Sequence, residues 1–434
     1  MFLKQEKMIK VLNSVSLGPG KVQYAEGVRA GRWIFLTGAM ASDFEKGVPL
    51  SVFNPSHPRF GKPKNEKEAT YIFDRMRTLL RSNKSDMENV VRLDQYYTSW
   101  TAVDSYHTGR RKAFGQYIPP STSILQKKLL LRDAEIEVEM IAIIPSREFS
   151  VQPVVLSEVD APASSGYAPA VKVGDFIFIA GLIATKGKGK EEHVPSEAQI
   201  VPGYLWRGTQ IKLETDYIIS KRLIPALDRC GSCLSNVVKA QIHLRDRDDI
   251  PGFMEVWKKY FPVDPPVTTI IPTSNPGFAV EQAAIEITII ALSNEGKTRK
   301  EIISIPICTS FENQTLAIKA GDLLFITGLM ATDENGLVKE CVKNDKQPFF
   351  GSSIYCQMDN ILGKAKRICE EAGTSLANTV RIQQYHENLN EFYEAYQTWQ
   401  NYLPNQALPF SAVEVPSLAI PSCSVLLDLW VYAP

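Results

Sequence analysis

Three stretches of β-forming residues, each bracketed by glycines, recur along the chain at intervals of about 145 residues. They read VRAGRWIFLTGAMASD (28 to 43), VKVGDFIFIAGLIATK (171 to 186) and IKAGDLLFITGLMATD (318 to 333). The first glycine of each, at Gly31, Gly174 and Gly321, sits where a hairpin turn needs positive φ. The second, at Gly38, Gly181 and Gly328, sits where the backbone must bend or be approached closely. Helical periodicity follows in EATYIFDRMRTLLRS, LETDYIISKRLIPALDRC and CQMDNILGKAKRICEEAG, leading to Asn89-Val-Val-Arg, Asn236-Val-Val-Lys and Asn378-Thr-Val-Arg, each opening a strand. A second helix is expected around SYHTGRRKAFGQY, GFMEVWKKYF and EFYEAYQTWQNYL. Each third then closes with a proline-led strand and a last strand, IEVEMIAII, IEITIIAL or LLDLWVYA.

One unit thus reads strand, strand, strand, helix, strand, helix, strand, strand. This is an α+β unit, a mixed sheet with two helices on one face. The segments PSREFSVQP and LSNEGKTRKE read as linkers and place the three units at 1–147, 148–294 and 295–434. The helices cover only one face of each sheet, and the simplest cover for the other is a second copy. Three copies in one chain therefore predict a closed, pseudo-three-fold arrangement with the sheets facing inward, a monomeric pseudo-trimer open to further oligomerisation.

Composition narrows the function. With 44% hydrophobic and 22% charged residues the chain is an ordinary globular sequence rather than a disordered one. Its 48 basic and 48 acidic residues cancel, so there is no field to capture nucleic acid or an anionic membrane. No stretch approaches the length of a membrane span, and the start MFLKQEKMIK breaks into charge before a leader could form; a soluble cytoplasmic protein is expected. Seven scattered cysteines suggest reduced thiols. The CxxC pair Cys230 and Cys233 has no second pair behind it, and the five histidines are dispersed, so the pair reads as a helix-end turn and neither metal nor cofactor is implied.

The glycine-ended strand and the final [IL]-[ED]-[IL] strand resemble the RidA/YjgF family of small enamine/imine deaminases, also called L-PSP endoribonucleases, which share a chorismate mutase-like fold. Members are usually single units forming homotrimers with sites between subunits, so the resemblance implies a trimer fused into one chain. It also implies site residues. A cleft-lining tyrosine is matched by Tyr24 and Tyr167, with Gln314 in the third copy. A carboxylate on the last strand, which orients water or takes a proton, is matched by Glu137, Glu286 and Asp428. The arginine that grips the substrate carboxylate is replaced by Thr122, Thr268 and Ser411, and the small residue two positions on by Ile124, Ile270 and Val413. A bidentate arginine–carboxylate pair has no equivalent in a hydroxyl, so the usual 2-imino acid substrates are disfavoured.

Strand alternation supplies other candidates. Val91 and Leu93 should face the helices, which sends Arg92, Asp94 and Tyr96 inward. Their equivalents are Lys239, Gln241 and His243, then Arg381, Gln383 and Tyr385. The recurring base either pairs with Glu137, Glu139, Glu286 and Asp428 in a structural ring or holds an anionic group at a cleft. His107 and His243 are further candidates. Two inserts after the glycine-ended strand, one with His57 and one with Tyr204 and Trp206, could close over a cleft as lids or pack across a seam.

The expected function is a small-molecule enzyme acting on an imine, enamine or related C–N bond by hydrolysis or proton transfer, in specialised metabolism. Alternatives are a non-catalytic binding trimer with decayed sites and a ring-opening amidohydrolase. Ribonuclease activity is disfavoured, because zero net charge leaves no basic track.

Overall fold

A computed structural model describes residues 9–18, 21–57, 61–156, 166–187, 191–201, 203, 206, 208–274, 277–308, 311, 314–343, 346 and 351–434. The unit read from the sequence recurs three times. In copy 1 the sheet order is Ile9–Leu17, Val22–Ala30, Trp33–Met40, Ile136–Ile143, Val90–Tyr97, Ser121–Leu125. Copies 2 and 3 repeat it around their last strands, Ile285–Leu292 and Val425–Tyr432. All neighbours are antiparallel except the proline-led strand, which runs parallel to its partner because a helix carries the chain back between them. Those second helices are Thr101–Phe114, Ile250–Tyr260 and Phe392–Tyr402. The third sheet gains one strand that its own copy does not supply, Lys128–Leu129 from copy 1, paired with Phe410–Glu414.

The hairpin glycines Gly31, Gly174 and Gly321 all take positive φ, as their turns demand. The first helices are Lys64–Ser82 in copy 1 and Ser353–Glu371 in copy 3. In copy 2 the corresponding helix opens into a wide π turn at Ile218–Leu223, just before Pro225. Proline has no N–H to donate and its ring clashes with the carbonyl four residues back, so the helix widens there instead of breaking.

Apolar burial follows the predicted layering. Each copy has a core between its sheet and helices, and a fourth core is common to all three. Into this shared core copy 1 sends Trp33 and Phe35, copy 2 sends Phe176 and Phe178, and copy 3 sends Phe325 and Trp430. Trp33 packs edge-on against Phe176, and Trp430 against Phe35 and Phe325. No copy can bury this face alone. No helix among the described residues is long and apolar enough to cross a membrane.

One cysteine expectation needs correction. Cys341 and Cys356, at the entrance to the first helix of copy 3, form a disulfide with their Cα atoms 5.2 Å apart. Scattered positions in sequence did not show that the loop folds back on the helix start.

Candidate functional site

Inward-pointing positions divide between a central axis and three clefts at the seams. On the axis, Arg92 makes a bidentate pair with Asp94, Nη2 to Oδ1 at 2.8 Å, and donates to Gln241 at 2.9 Å. Arg381 reaches Glu139 at 2.7 Å and Asp94 at 2.6 Å. Lys239 reaches Asp428 at 2.8 Å, and Thr269 donates to the same carboxylate at 2.7 Å. Burial pushes the Asp94 carboxyl up, but Arg92 and Arg381 outweigh it and hold it below the usual range. The three bases named as possible anion holders, one from each copy, are therefore committed to axial carboxylates of copies 1 and 3. His243 stands in the layer of Tyr96 and Tyr385, whose hydroxyls meet at 3.0 Å. Burial pulls its imidazole down to about 3, so it is neutral, and neither ring nitrogen has a hydrogen-bond partner.

The strand register corrects two equivalences. Glu137 pairs with Tyr96, and Glu286 with His243, but the residue opposite Tyr385 is Leu426. Asp428 instead faces Gln383, as Glu139 faces Asp94, so it belongs to the axis and copy 3 has a leucine where the others have a carboxyl group. The three hydroxyl positions also differ. Thr122 bonds Thr288 at 2.8 Å, Thr269 bonds Asp428 and Ser411 bonds Glu139, all on the axis. Thr268 is one residue off this set and looks into a cleft, and its counterparts are Ser121 and Phe410. Ser121 and Thr268 each cap the carbonyl of a proline two residues back.

The cleft between copies 1 and 3 encloses about 340 Å³. It brings together Tyr24 and Glu137 from copy 1 with Phe410, Ser411 and Ala412 from copy 3. Glu137 is wholly buried and neither carboxyl oxygen has a hydrogen-bond partner. Burial, then the nearby Glu139, pushes its pKa well above the carboxylate range, so it stands as a neutral acid. Tyr24 donates its hydroxyl to the Thr37 carbonyl, and burial with Glu26 and Glu137 raises its pKa, keeping it a phenol. Gly38, at φ +57°, lets the strand pass the Phe410 carbonyl, which a Cβ would meet at 2.3 Å.

Between copies 1 and 2, Tyr167 and Glu286 share a seam with Arg222, Arg110 and Glu192, the groups that act electrostatically on Tyr167. Glu192 comes from the second insert, which folds back through a Lys186–His193 bridge and accepts from Thr185 at 2.9 Å. The Glu286 carboxyl lies against Gly181, where a Cβ would fall 1.7 Å from Oε1; only glycine leaves that space. Burial, reinforced by Asp94, raises Glu286 to about 8. An unfolded glutamate ionises near 4.5 while the folded one keeps its proton to about 8, so this group's contribution to stability declines as pH rises through that window. Glu286→Gln should flatten the slope and stabilise the protein relative to the parent at pH 8 by on the order of 1–3 kcal/mol, seen as a higher melting midpoint. Calorimetric melts from pH 5 to 9 check this, and equal midpoints across the range would contradict it.

The cleft between copies 2 and 3 is smaller, about 190 Å³, with Thr268 and Gln314 among walls of Trp257, Phe261 and Phe311. Its described lining contains no carboxylate. Gln314 is spent on Thr327 at 2.6 Å.

The sequence reading missed a recurring base on the first helix. Arg75 donates to the Ser42 carbonyl, Arg222 to the Thr185 hydroxyl and Lys364 to the Thr332 carbonyl, each binding the loop four residues beyond the second glycine. That offset from the glycine was the available signal. His107 is buried and lowered to about 3, by burial first. His57 and Trp206 are exposed, and Tyr204 lies outside the described residues. Burial pushes Cys230 up to about 11, a poor nucleophile. Among the described residues no group of three metal-ligating side chains converges.

Three copies of one α+β unit closed on a common core, with clefts at their seams, are the class that this geometry defines, and comparison assigns the family. The sequence profile of the family described as Endoribonuclease L-PSP matches residues 19–144, 158–293 and 310–432, and the chain belongs to that family. A RutC family protein of Pyrococcus abyssi is 32% identical over 115 residues, 26% of this chain and 79% of the relative. The mouse 2-iminobutanoate/2-iminopropanoate deaminase is 32% identical over 108 residues, 25% and 69% of the two chains. The 3-aminoacrylate deaminase RutC of Acinetobacter baylyi is 27% identical over 138 residues, 32% and 95%.

Proposed function

We propose that this protein is an imine/enamine deaminase-type hydrolase whose working site is the cleft between copies 1 and 3. The observation that carries the reading is Glu137: a buried, unpartnered carboxyl group in a cavity shared with Tyr24. A neutral acid of raised pKa can protonate a C=N nitrogen or enamine carbon and then, as the carboxylate, orient water for attack. Relatives named as deaminases of imino acids and aminoacrylate support the reaction type. The cleft's described lining has one base, Arg75, and Glu26 already pairs with it. A 2-imino acid would bury a carboxylate there without a partner, so the substrate lacks that group. This favours a specialised role over general imine clearance. A cytoplasmic, monomeric protein acting on small molecules without a cofactor, built of repeats bounded near 147 and 294, completes the proposal. Ammonia release should be at least about 10²-fold faster from an uncharged or cationic imine than from 2-iminobutanoate; comparable rates would refute the substrate assignment.

The cleft between copies 2 and 3 favours a second reading for its own seam. With Leu426 and Gln314 in place of acid and phenol, it would bind rather than catalyse.

A further inference from the structure

Four aromatic rings surround the cavity between copies 1 and 3, Tyr24 and Phe44 from one side, Phe392 and Phe410 from the other. They form a connected arc, with ring centres 6.0 Å apart for Tyr24–Phe44, 5.2 Å for Tyr24–Phe410 and 5.2 Å for Phe392–Phe410. Ring faces carry partial negative charge, and several turned on one space attract a cation strongly once water is excluded. The arc already holds one: the Arg75 guanidinium lies 3.8 Å from the Phe44 ring centre. Its charge is offset by Glu26, which pairs with it at the cavity wall. What remains without a hydrogen-bond partner is Glu137, on both of its buried oxygens. A ligand that brings a positive charge and an N–H supplies that partner and draws the neutral acid into its ionised form, which a neutral or anionic ligand cannot do.

We propose that this cleft takes a small organic cation, an ammonium or iminium group bearing apolar substituents, with its nitrogen against Glu137 and its substituents among Phe44, Phe392 and Phe410. The inference rests on reading this cleft as the working site and adds the charge and shape of what it accepts. Leu17, Val22, Met40, Ile72, Leu130 and Leu131 add apolar wall beside the polar edge formed by Ser42, Glu45 and the Arg75–Glu26 pair, so the substituents have apolar surface to meet. Phe410 stands where the strand could have presented a base, and it contributes a ring instead. The volume lies at the small end of ligand sites.

Three probes of similar size separate charge from fit: benzylammonium, benzyl alcohol and benzoate, titrated calorimetrically into the whole protein near neutral pH. Benzylammonium should bind about tenfold or more tighter than benzyl alcohol, and benzoate most weakly. Glu137→Gln should remove the advantage of the cation over the alcohol while leaving the alcohol's affinity within about threefold. Phe44→Leu, on a half-buried loop residue at the edge of the copy 3 core, should weaken the cation about three- to tenfold more than the alcohol. Preference for benzoate, binding of none of the three, or a cation preference that survives Glu137→Gln each overturns the assignment. The site itself is judged separately, by whether turnover requires Glu137: if it does while the cation is not preferred, the ligand class falls and the cleft stands.

Discussion

Glu137→Gln should lower turnover by about 10²- to 10⁴-fold and leave the melting midpoint unchanged or raised. Both halves of that expectation come from one environment. The carboxyl group is wholly buried, accepts and donates no hydrogen bond, and is pushed toward the neutral form by burial and by Glu139. Glutamine fills the same space and keeps a donor, but it cannot give up and recover a proton. No native bond is lost, and a group that would ionise on unfolding is removed, so stability has no reason to fall. Steady-state kinetics on a neutral or cationic imine, beside calorimetry on the same samples, test the pair of claims. Activity within about threefold of the parent would place the chemistry elsewhere. A large loss of both activity and stability would mean that Glu137 has a structural role.

Arg381→Met should produce the largest loss of stability, about 3–5 kcal/mol. This guanidinium is 1% exposed and is shared between Glu139 and Asp94, so it ties copy 3 to copy 1 at the axis. Methionine matches the stem but leaves two buried carboxyl groups facing one another with only Arg92 nearby. Those groups would have to take up protons, so the deficit should be greatest at neutral pH and shrink as the pH falls to about 4 and below, where the unfolded chain takes up the same protons. Adding Glu139→Gln should restore part of the loss, because it removes one stranded charge. Urea unfolding at two pH values measures these differences. A deficit under about 1 kcal/mol would show that the axis network contributes little. Lys239, which holds Asp428 in the same way between copies 2 and 3, should behave similarly but less severely, since it leaves one carboxylate rather than two.

The contrast between these two glutamates on one strand shows how far local pattern reaches. Alternation in Ile136–Ile143 puts Glu137 and Glu139 on the same inward face, and it cannot say that one meets an arginine from another copy while the other meets none. The same holds for the proline-led strands. Thr122, Thr268 and Ser411 each follow a proline, yet the parallel ladder sets Gln241 opposite Thr269, where it sets Asp94 opposite Thr122 and Gln383 opposite Ser411. A helix and a loop carry the chain between those partners, so their register is decided by packing.

Repeats, hairpin glycines, helix and strand order and the inward face of each sheet were all legible in the sequence, because each depends on residues a few positions apart. Tyr24 and Glu137 could be named as candidates for the same reason. Their meeting with Phe392 and Phe410 across a seam could not, since those residues lie about 250 to 390 positions away and are brought in by closure of the three sheets on a common core. That closure makes the clefts unequal: it buries one acid without a partner, presses a second against Gly181 and leaves a leucine in the third place. Identical local patterns therefore specify three copies of one fold, while the contacts between copies decide which cleft has the means to do chemistry.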